Sequence, residues 1–235
     1  NESKRLIQGE CMTIINQTRQ RPVDQLSTGK QEERQIVYDL HKMRYVNNAH
    51  NMRKNSTPVV ALDIDGVVAN FDKSMYPYSN KTGEYSPSDY NYVKSGWFNS
   101  WDDFEQAHIT VMENASGIPL LDPSAPEAVD MLKKDGIKVI VVTARREQWR
   151  DETLKFFHKH GIDIDSQDLH IMDKKNKTSI HFDYIIDDAP KNIIDVLQNA
   201  PYATPVIYNR RYNDHLPGDR VNNLVEFADF VLNDI

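Results

Sequence analysis

From residue 58 onward, short apolar runs alternate with longer stretches whose apolar positions recur every three or four residues. The short runs predict buried strands and the longer stretches amphipathic helices. The predicted strands are "PVVALDI" (58–64), "IKVIVVTA" (137–144), "DLHIM" (168–172), "FDYIIDD" (182–188) and "TPVIYN" (204–209). The predicted helices between and after them are 124–136, 145–161, 190–200 and 222–234. The first of these carries the clearest boundary signals. Ser124 stands at the N-cap with Glu127 closing a capping box, Pro126 lies in the first turn and Gly136 just past the end. Apolar strands alternating with amphipathic helices predict an α/β fold built on a parallel sheet.

Two regions break this rhythm. Residues 72–123 are aromatic and polar, and too long for a plain strand-to-helix loop, so they read as an inserted subdomain of short helices. Residues 1–57 are polar, rich in Gln, Asn and Arg, and contain no strand-like run. There Ile36, Leu40, Met43 and Asn47 share a helical spacing, which predicts a helix over about 31–53, with an earlier one over about 3–19 ending near Pro22. The domain reading is a helical N-terminal extension (1–57) followed by one α/β domain (58–235). The extension is read as packing on that domain, against the sharper alternative of a partner-binding arm or the tail of a further domain.

Composition narrows the function. The chain has 235 residues, a hydrophobic fraction of 39% and a net charge of −7. The acidic balance argues against coating DNA or RNA, which needs a basic face. It leaves room for a small phosphorylated substrate, which answers to local charge. Cys11 is the single cysteine, so no intramolecular disulfide forms. No apolar run reaches the ~20 residues of a membrane span. No signal peptide is visible, and a cytoplasmic location is expected. The oligomeric state is left open, a homodimer being one option.

Ligands in open parallel sheets bind at the carboxyl ends of the strands. There the sequence places Asp63 and Asp65 after the first strand, Thr143 after the second, Lys177 ahead of the fourth, and Asp187 and Asp188 at its end. Such an oxygen-rich carboxylate set suits a hard cation, and Mg²⁺ is the usual choice with phosphate substrates. The metal would offset the repulsion between the acids. Lys177 and Thr143 add a charge and a donor for a phosphoryl group. The chemistry expected is phosphoryl transfer to a carboxylate nucleophile.

These motifs, "DIDGVVANF", "VVTAR", Lys177 and "IIDDAPKN", resemble those of the haloacid dehalogenase superfamily of phosphatases over about residues 58–235. The lysine ten residues before the double aspartate and the segment "VIYNRRYNDHLPGDRVNNLVEF" are most similar to the 5'(3')-deoxyribonucleotidase branch. The resemblance implies a Rossmann-like sheet with a small helical cap, and Mg²⁺ as cofactor. It makes Asp63 the nucleophile and Asp65 the general acid and base. Asp63, the Asp65 backbone carbonyl, Asp187 and Asp188 would hold the metal. Thr143 and Lys177, with backbone N–H groups near Gly66 and Ala144, would hold the phosphate. The implied activity is hydrolysis of (deoxy)nucleoside 5'-monophosphates.

The stretch "ARREQWRDETLKFFHKHGI" also resembles the phosphatase half of polynucleotide kinase–phosphatases, which act on polynucleotide 3'-ends. That is the alternative substrate class. A catalytically incidental scaffold with a partner-binding arm is the alternative from another class. Phe71, Trp97, Trp101 and Arg145 are the residues expected in the substrate pocket, the aromatic ones stacking on a base. Asn192 is expected to orient Asp187 or the loop rather than to touch substrate.

Overall fold

In a computed structural model of the protein, the described residues are 28–47, 57–83, 85–173 and 175–235, with side chains described only to residue 40 in the first stretch. The expected helix over 3–19, Cys11 and residues 48–53 lie outside them. The elements in chain order are α1 (Thr28–Asn47), β1 (Val59–Leu62), α2 (Phe71–Met75), α3 (Trp101–Met112), α4 (Ala125–Lys134), β2 (Lys138–Thr143), α5 (Arg150–Lys159), β3 (Leu169–Ile171), β4 (Tyr184–Asp187), α6 (Pro190–Asn199), β5 (Thr204–Tyr208), β6 (Arg220–Val221) and α7 (Leu224–Asp234).

The strands form one six-stranded sheet in the order β3-β2-β1-β4-β5-β6, and every pairing is parallel. The expected α/β architecture is therefore present. Strand order reverses about β1, which pairs β2 on one side and β4 on the other. That reversal opens a crevice at the carboxyl ends of β1 and β4. Side chains alternate across the sheet with the strand period of two. Val60, Leu62, Val139 and Val141 face α4, α5 and α7, joined by Phe156, Phe157 and Phe227. Ala61, Ile140, Val142 and Ile185 face the other way, toward Val196 of α6.

Several boundaries differ from expectation for physical reasons. Ser124 does not cap α4. Its hydroxyl donates to Asp122 Oδ1 at 2.7 Å, and its own N–H does the same at 2.8 Å. The other oxygen of Asp122 accepts from Leu224 N, so this one buried carboxylate ties the starts of α4 and α7 together. Pro126 and Gly136 act as predicted, Gly136 ending the helix in the left-handed region at φ 77°. The helix expected from residue 145 begins only at Arg150, because Arg145 is drawn into the buried site and Arg146 is extended. Strand β6, two residues long, was not foreseen.

Residues between β1 and α4 carry α2 and α3 and pack by their rings. Tyr92 stacks on Phe104 at 5.3 Å and meets Phe71, Trp97 and Phe98 edge-on. Asn70 caps α2 and Ser100 caps α3, each accepting a backbone N–H three residues on. Helix α1 packs against α6.

Candidate active site

Strand β1 ends at Leu62, and Asp63 continues its pairing by donating N–H to Ile186 O at 3.1 Å. The chain then turns sharply. Ile64 O accepts from Val68 N at 2.9 Å and from Ala69 N at 2.8 Å. Gly66 makes this turn at φ 92°, and a Cβ there would lie 2.2 Å from Asp188 Oδ2. Only glycine lets the first loop approach the end of β4 so closely.

The two acids of that first loop are held differently. Asp63 is buried and faces Lys177, whose Nζ lies 2.5 Å from Asp63 Oδ1 and 2.7 Å from Asp187 Oδ2. Asp65 turns the other way, onto Arg145. That guanidinium donates from Nε at 2.9 Å and from Nη2 at 2.6 Å, a bidentate pair, and its Nη1 donates to Thr153 Oγ1 at 3.1 Å. The Asp65 side chain thus points away from the other acids, which leaves its backbone carbonyl, the atom expected at the metal, as its one possible ligand there. The carboxylates that converge are those of Asp63, Asp187 and Asp188, with one oxygen of each within 4.8 Å of the others.

The motif-four acids are gripped from behind. Asp187 accepts from Ala189 N at 2.8 Å and from Asn192 Nδ2 on both oxygens, at 3.0 and 2.9 Å, as expected of Asn192. Asp188 Oδ2 accepts the Tyr212 hydroxyl, and its backbone oxygen accepts Asn213 Nδ2 at 2.8 Å. Asp188 Oδ1 is buried with no hydrogen-bond partner.

Lys177 sits in a single helical turn, Lys177–Ser179, secured on both flanks by Asp195 of α6. Asn176 Nδ2 and Thr178 Oγ1 each donate to it. Of the two lysines just before it in the chain, Lys175 is exposed and Lys174 lies outside the described residues.

Charge sets the character of the place. Burial works to lower the Lys177 ammonium, but Asp187 and Asp63 outweigh it and hold it above the ordinary lysine value. Burial pushes the Asp63 carboxyl up to about 7, against the pull of Lys177 and with a further push from Asp187. Burial, then Asp63 and Asp187, raise Asp188 well above the carboxylate range. One ammonium thus pairs with two of three clustered buried acids and does not balance the set. The shortage of positive charge, the orphaned Asp188 oxygen and the all-oxygen donor set fit a hard divalent cation.

A cavity of about 340 Å³ opens onto these groups. Asp63, Asp65, Gly66, Thr143, Ala144, Arg145, Lys177 and Asp188 line its floor. Phe71 and Trp101 line its walls. Trp97 does not. It is buried edge-on against Tyr76 and Tyr92 inside the aromatic insertion. One of the expected phosphate donors is engaged with the chain itself, Gly66 N–H donating to Ala69 O at 3.0 Å. Thr143 Oγ1 accepts from Arg145 N at 3.3 Å, a bond that does not use its own O–H.

Sequence reasoning missed Tyr90, Tyr92, His108 and Tyr212, which also line the cavity. It missed as well the buried pair in which Arg210 and the Tyr92 hydroxyl both donate to Asp72. No motif spacing marks these residues. The one available signal was the density of tyrosines in the insertion. Burial, then the nearby carboxylates, raise the Tyr92 and Tyr212 hydroxyls well above the ordinary tyrosine value.

Comparison with known proteins follows the same lines. Residues 57–234 match the family described as 5' nucleotidase, deoxy (pyrimidine), cytosolic type C protein. The "Putative nucleotidase YqfW" of Bacillus subtilis (strain 168) is 29% identical over 191 residues, covering 74% of this chain and 93% of that protein. A crystal structure described as a predicted phosphoglycolate phosphatase from Haemophilus somnus 129PT superposes with a TM-score of 0.51 at 11% identity, covering 76% of this chain and all of that one. A larger chain in a Pnkp1/Rnl/Hen1 complex matches at a TM-score of 0.42 and 20% identity, and this protein spans about half (49%) of its length. The chain belongs to the cytosolic type C 5'-nucleotidase family of the haloacid dehalogenase superfamily, and it is a phosphatase.

Proposed function

We propose that the protein is a Mg²⁺-dependent 5'-nucleotidase, hydrolysing (deoxy)nucleoside monophosphates through an aspartyl-phosphate. The observation that carries this reading is the imbalance at the strand-order reversal: three converging buried carboxylates against the single ammonium of Lys177. Such a site favours a divalent cation and, with it, a phosphoryl group.

In this reading Asp63 attacks phosphorus, an Asp63–phosphorus bond forms and the ester P–O bond breaks. Asp65 gives its proton to the departing sugar oxygen. Asp65 then takes a proton from a water, which attacks the same phosphorus, and the Asp63–phosphorus bond breaks to release inorganic phosphate. Lys177 keeps Asp63 oriented and offsets charge on the phosphoryl oxygens, and Thr143 adds a donor. Asp63, Asp187, Asp188 and the Asp65 carbonyl would hold Mg²⁺, which when bound neutralises phosphoryl charge.

The walls of the cavity support a nucleotide. Phe71, Tyr90 and Trp101 offer faces for a base, and about 340 Å³ suits one small ligand. The division into an extension (1–57), a catalytic domain (58–235) and a substrate-selecting cap (72–123) belongs to the same proposal, supported by a family match that begins at residue 57. No helix among the described residues is long and apolar enough to cross a membrane. A cytoplasmic location is part of the proposal, in keeping with the name of the family.

The test is a screen of nucleoside 5'-monophosphates beside a 3'-phosphorylated oligonucleotide, with and without Mg²⁺. The mononucleotides should release phosphate only with the metal, and faster than the oligonucleotide. The reverse preference would replace the nucleotidase reading with a polynucleotide 3'-phosphatase.

A further inference from the structure

Helix α1 lies outside the residues that match the family, 57–234, yet it is packed directly behind the carboxylate site. Val37, with no exposed surface, sits among Ile193, Leu197, Ile207 and Leu216. The first two belong to α6, whose first turn presents Asn192 to both oxygens of Asp187. Leu216 ends the loop that holds Asp188. Its N–H donates to Asn213 O at 3.0 Å, while Tyr212 and Asn213 donate to Asp188. One apolar contact from α1 thus backs both elements that grip the motif-four acids.

A polar contact reinforces it. His215, buried beside Leu216, has Nε2 2.9 Å from Glu33 Oε2. An ionised carboxylate only accepts, so the imidazole donates from Nε2. A third contact reaches the insertion. Lys30 Nζ donates to Ser88 O at 3.2 Å, two residues before Tyr90 of the cavity wall.

Groups that orient metal ligands from outside the coordination sphere control affinity, because a ligand held in place loses less freedom on binding. We propose that α1 is an intramolecular brace for the metal site, with Glu33 and Val37 as positioning residues that set how tightly Asp187 and Asp188 hold a divalent cation. This rests on the reading of the three acids as a metal site.

The test titrates Mg²⁺ alone, without substrate, into the full chain by calorimetry. Glu33→Ala and Val37→Ala should each bind Mg²⁺ about three- to tenfold more weakly than wild type. Glu33→Gln, whose amide oxygen still accepts from His215, should recover most of that loss. Val231→Ala, buried in α7 against the opposite face, should lower the melting temperature and leave Mg²⁺ affinity unchanged. The brace is overturned if the Glu33 and Val37 variants bind Mg²⁺ as wild type does. It is equally overturned if Val231→Ala weakens binding as much as they do. Absence of binding by the wild type itself would instead sink the metal reading, and the brace with it.

Discussion

The carboxyl edge of the sheet and the aromatic insertion above it line one cavity and are built on opposite plans. At the sheet edge Asp63, Thr143, Lys177, Asp187 and Asp188 are all buried, and fixed donors hold the acids. In the insertion Trp101 is 56% exposed and Tyr90 is 39% exposed, and their neighbours are mostly other rings. Ring contacts at 5–6 Å tolerate small shifts, whereas hydrogen bonds to buried acids do not. The insertion is fastened to the sheet domain at charged points, Arg210 on Asp72 and Arg146 on Glu105. Under the proposed function, bond making would fall to the rigid edge and substrate choice to the adaptable wall.

The sharpest way to break this contrast is at the edge itself. Asp63→Asn should lower Mg²⁺-dependent hydrolysis of p-nitrophenyl phosphate by roughly 10⁴-fold or more. The same variant should melt no lower than wild type at pH 7.5 without metal, because burial already disfavours the Asp63 charge. Near-wild-type turnover would remove Asp63 as nucleophile. Lys177→Met should act oppositely on stability. It leaves the buried Asp63 and Asp187 without their cation, so unfolding should cost about 3–5 kcal/mol less, with turnover down about 10²–10³-fold. Denaturant titration would check the first effect, and added Mg²⁺ should restore part of the stability. A Lys177→Met protein as stable as wild type would refute the charge imbalance.

The edge was legible in the sequence because strand period and motif placement agree. Apolar runs fix where strands end, and the acids, threonine and lysine stand at those ends. What the pattern could not supply was direction. Asp63 and Asp65, two residues apart on an extended chain, should point alike, but the turn at Gly66 sends Asp65 to Arg145. Arg145 itself looked equally like a helix start, since nothing local reveals a partner 80 positions away. Ser124 had every local feature of a cap and lost its hydroxyl to Asp122. In the insertion, composition announced an aromatic cluster without saying which rings face inward. Trp97 went to the core and Trp101 to the cavity because tertiary packing, not spacing, sorts them.

The wall should give smaller and more selective effects. Trp101→Ala should raise KM for a nucleoside monophosphate about three- to tenfold with little change in kcat, the pattern of lost binding equal in ground and transition states. With acetyl phosphate, which has no ring to stack, the variant should match wild type. Equal losses on both substrates would mean that Trp101 serves the edge and not selection, erasing the contrast.

The smallest effect expected is a pH dependence at the seam between the two regions. His108 lies among Phe71, Phe104 and Trp149, beside Asp65 and Glu105 on one side and Arg146 on the other. Burial pulls its pKa below the ordinary histidine value, against the two acids, and Arg146 adds to the fall. Below pH ~6.5 the unfolded chain therefore binds more protons at this position than the folded one, so acidification costs stability there. Other acids titrate in the same range, so the wild type alone cannot isolate the effect. The difference from His108→Gln can. Between pH 7.5 and 5.5 the wild-type melting temperature should fall about 1–2 °C relative to the variant. A constant difference across that range would show that His108 is as readily charged in the folded wall as in water, and that the wall is more open than its rings imply.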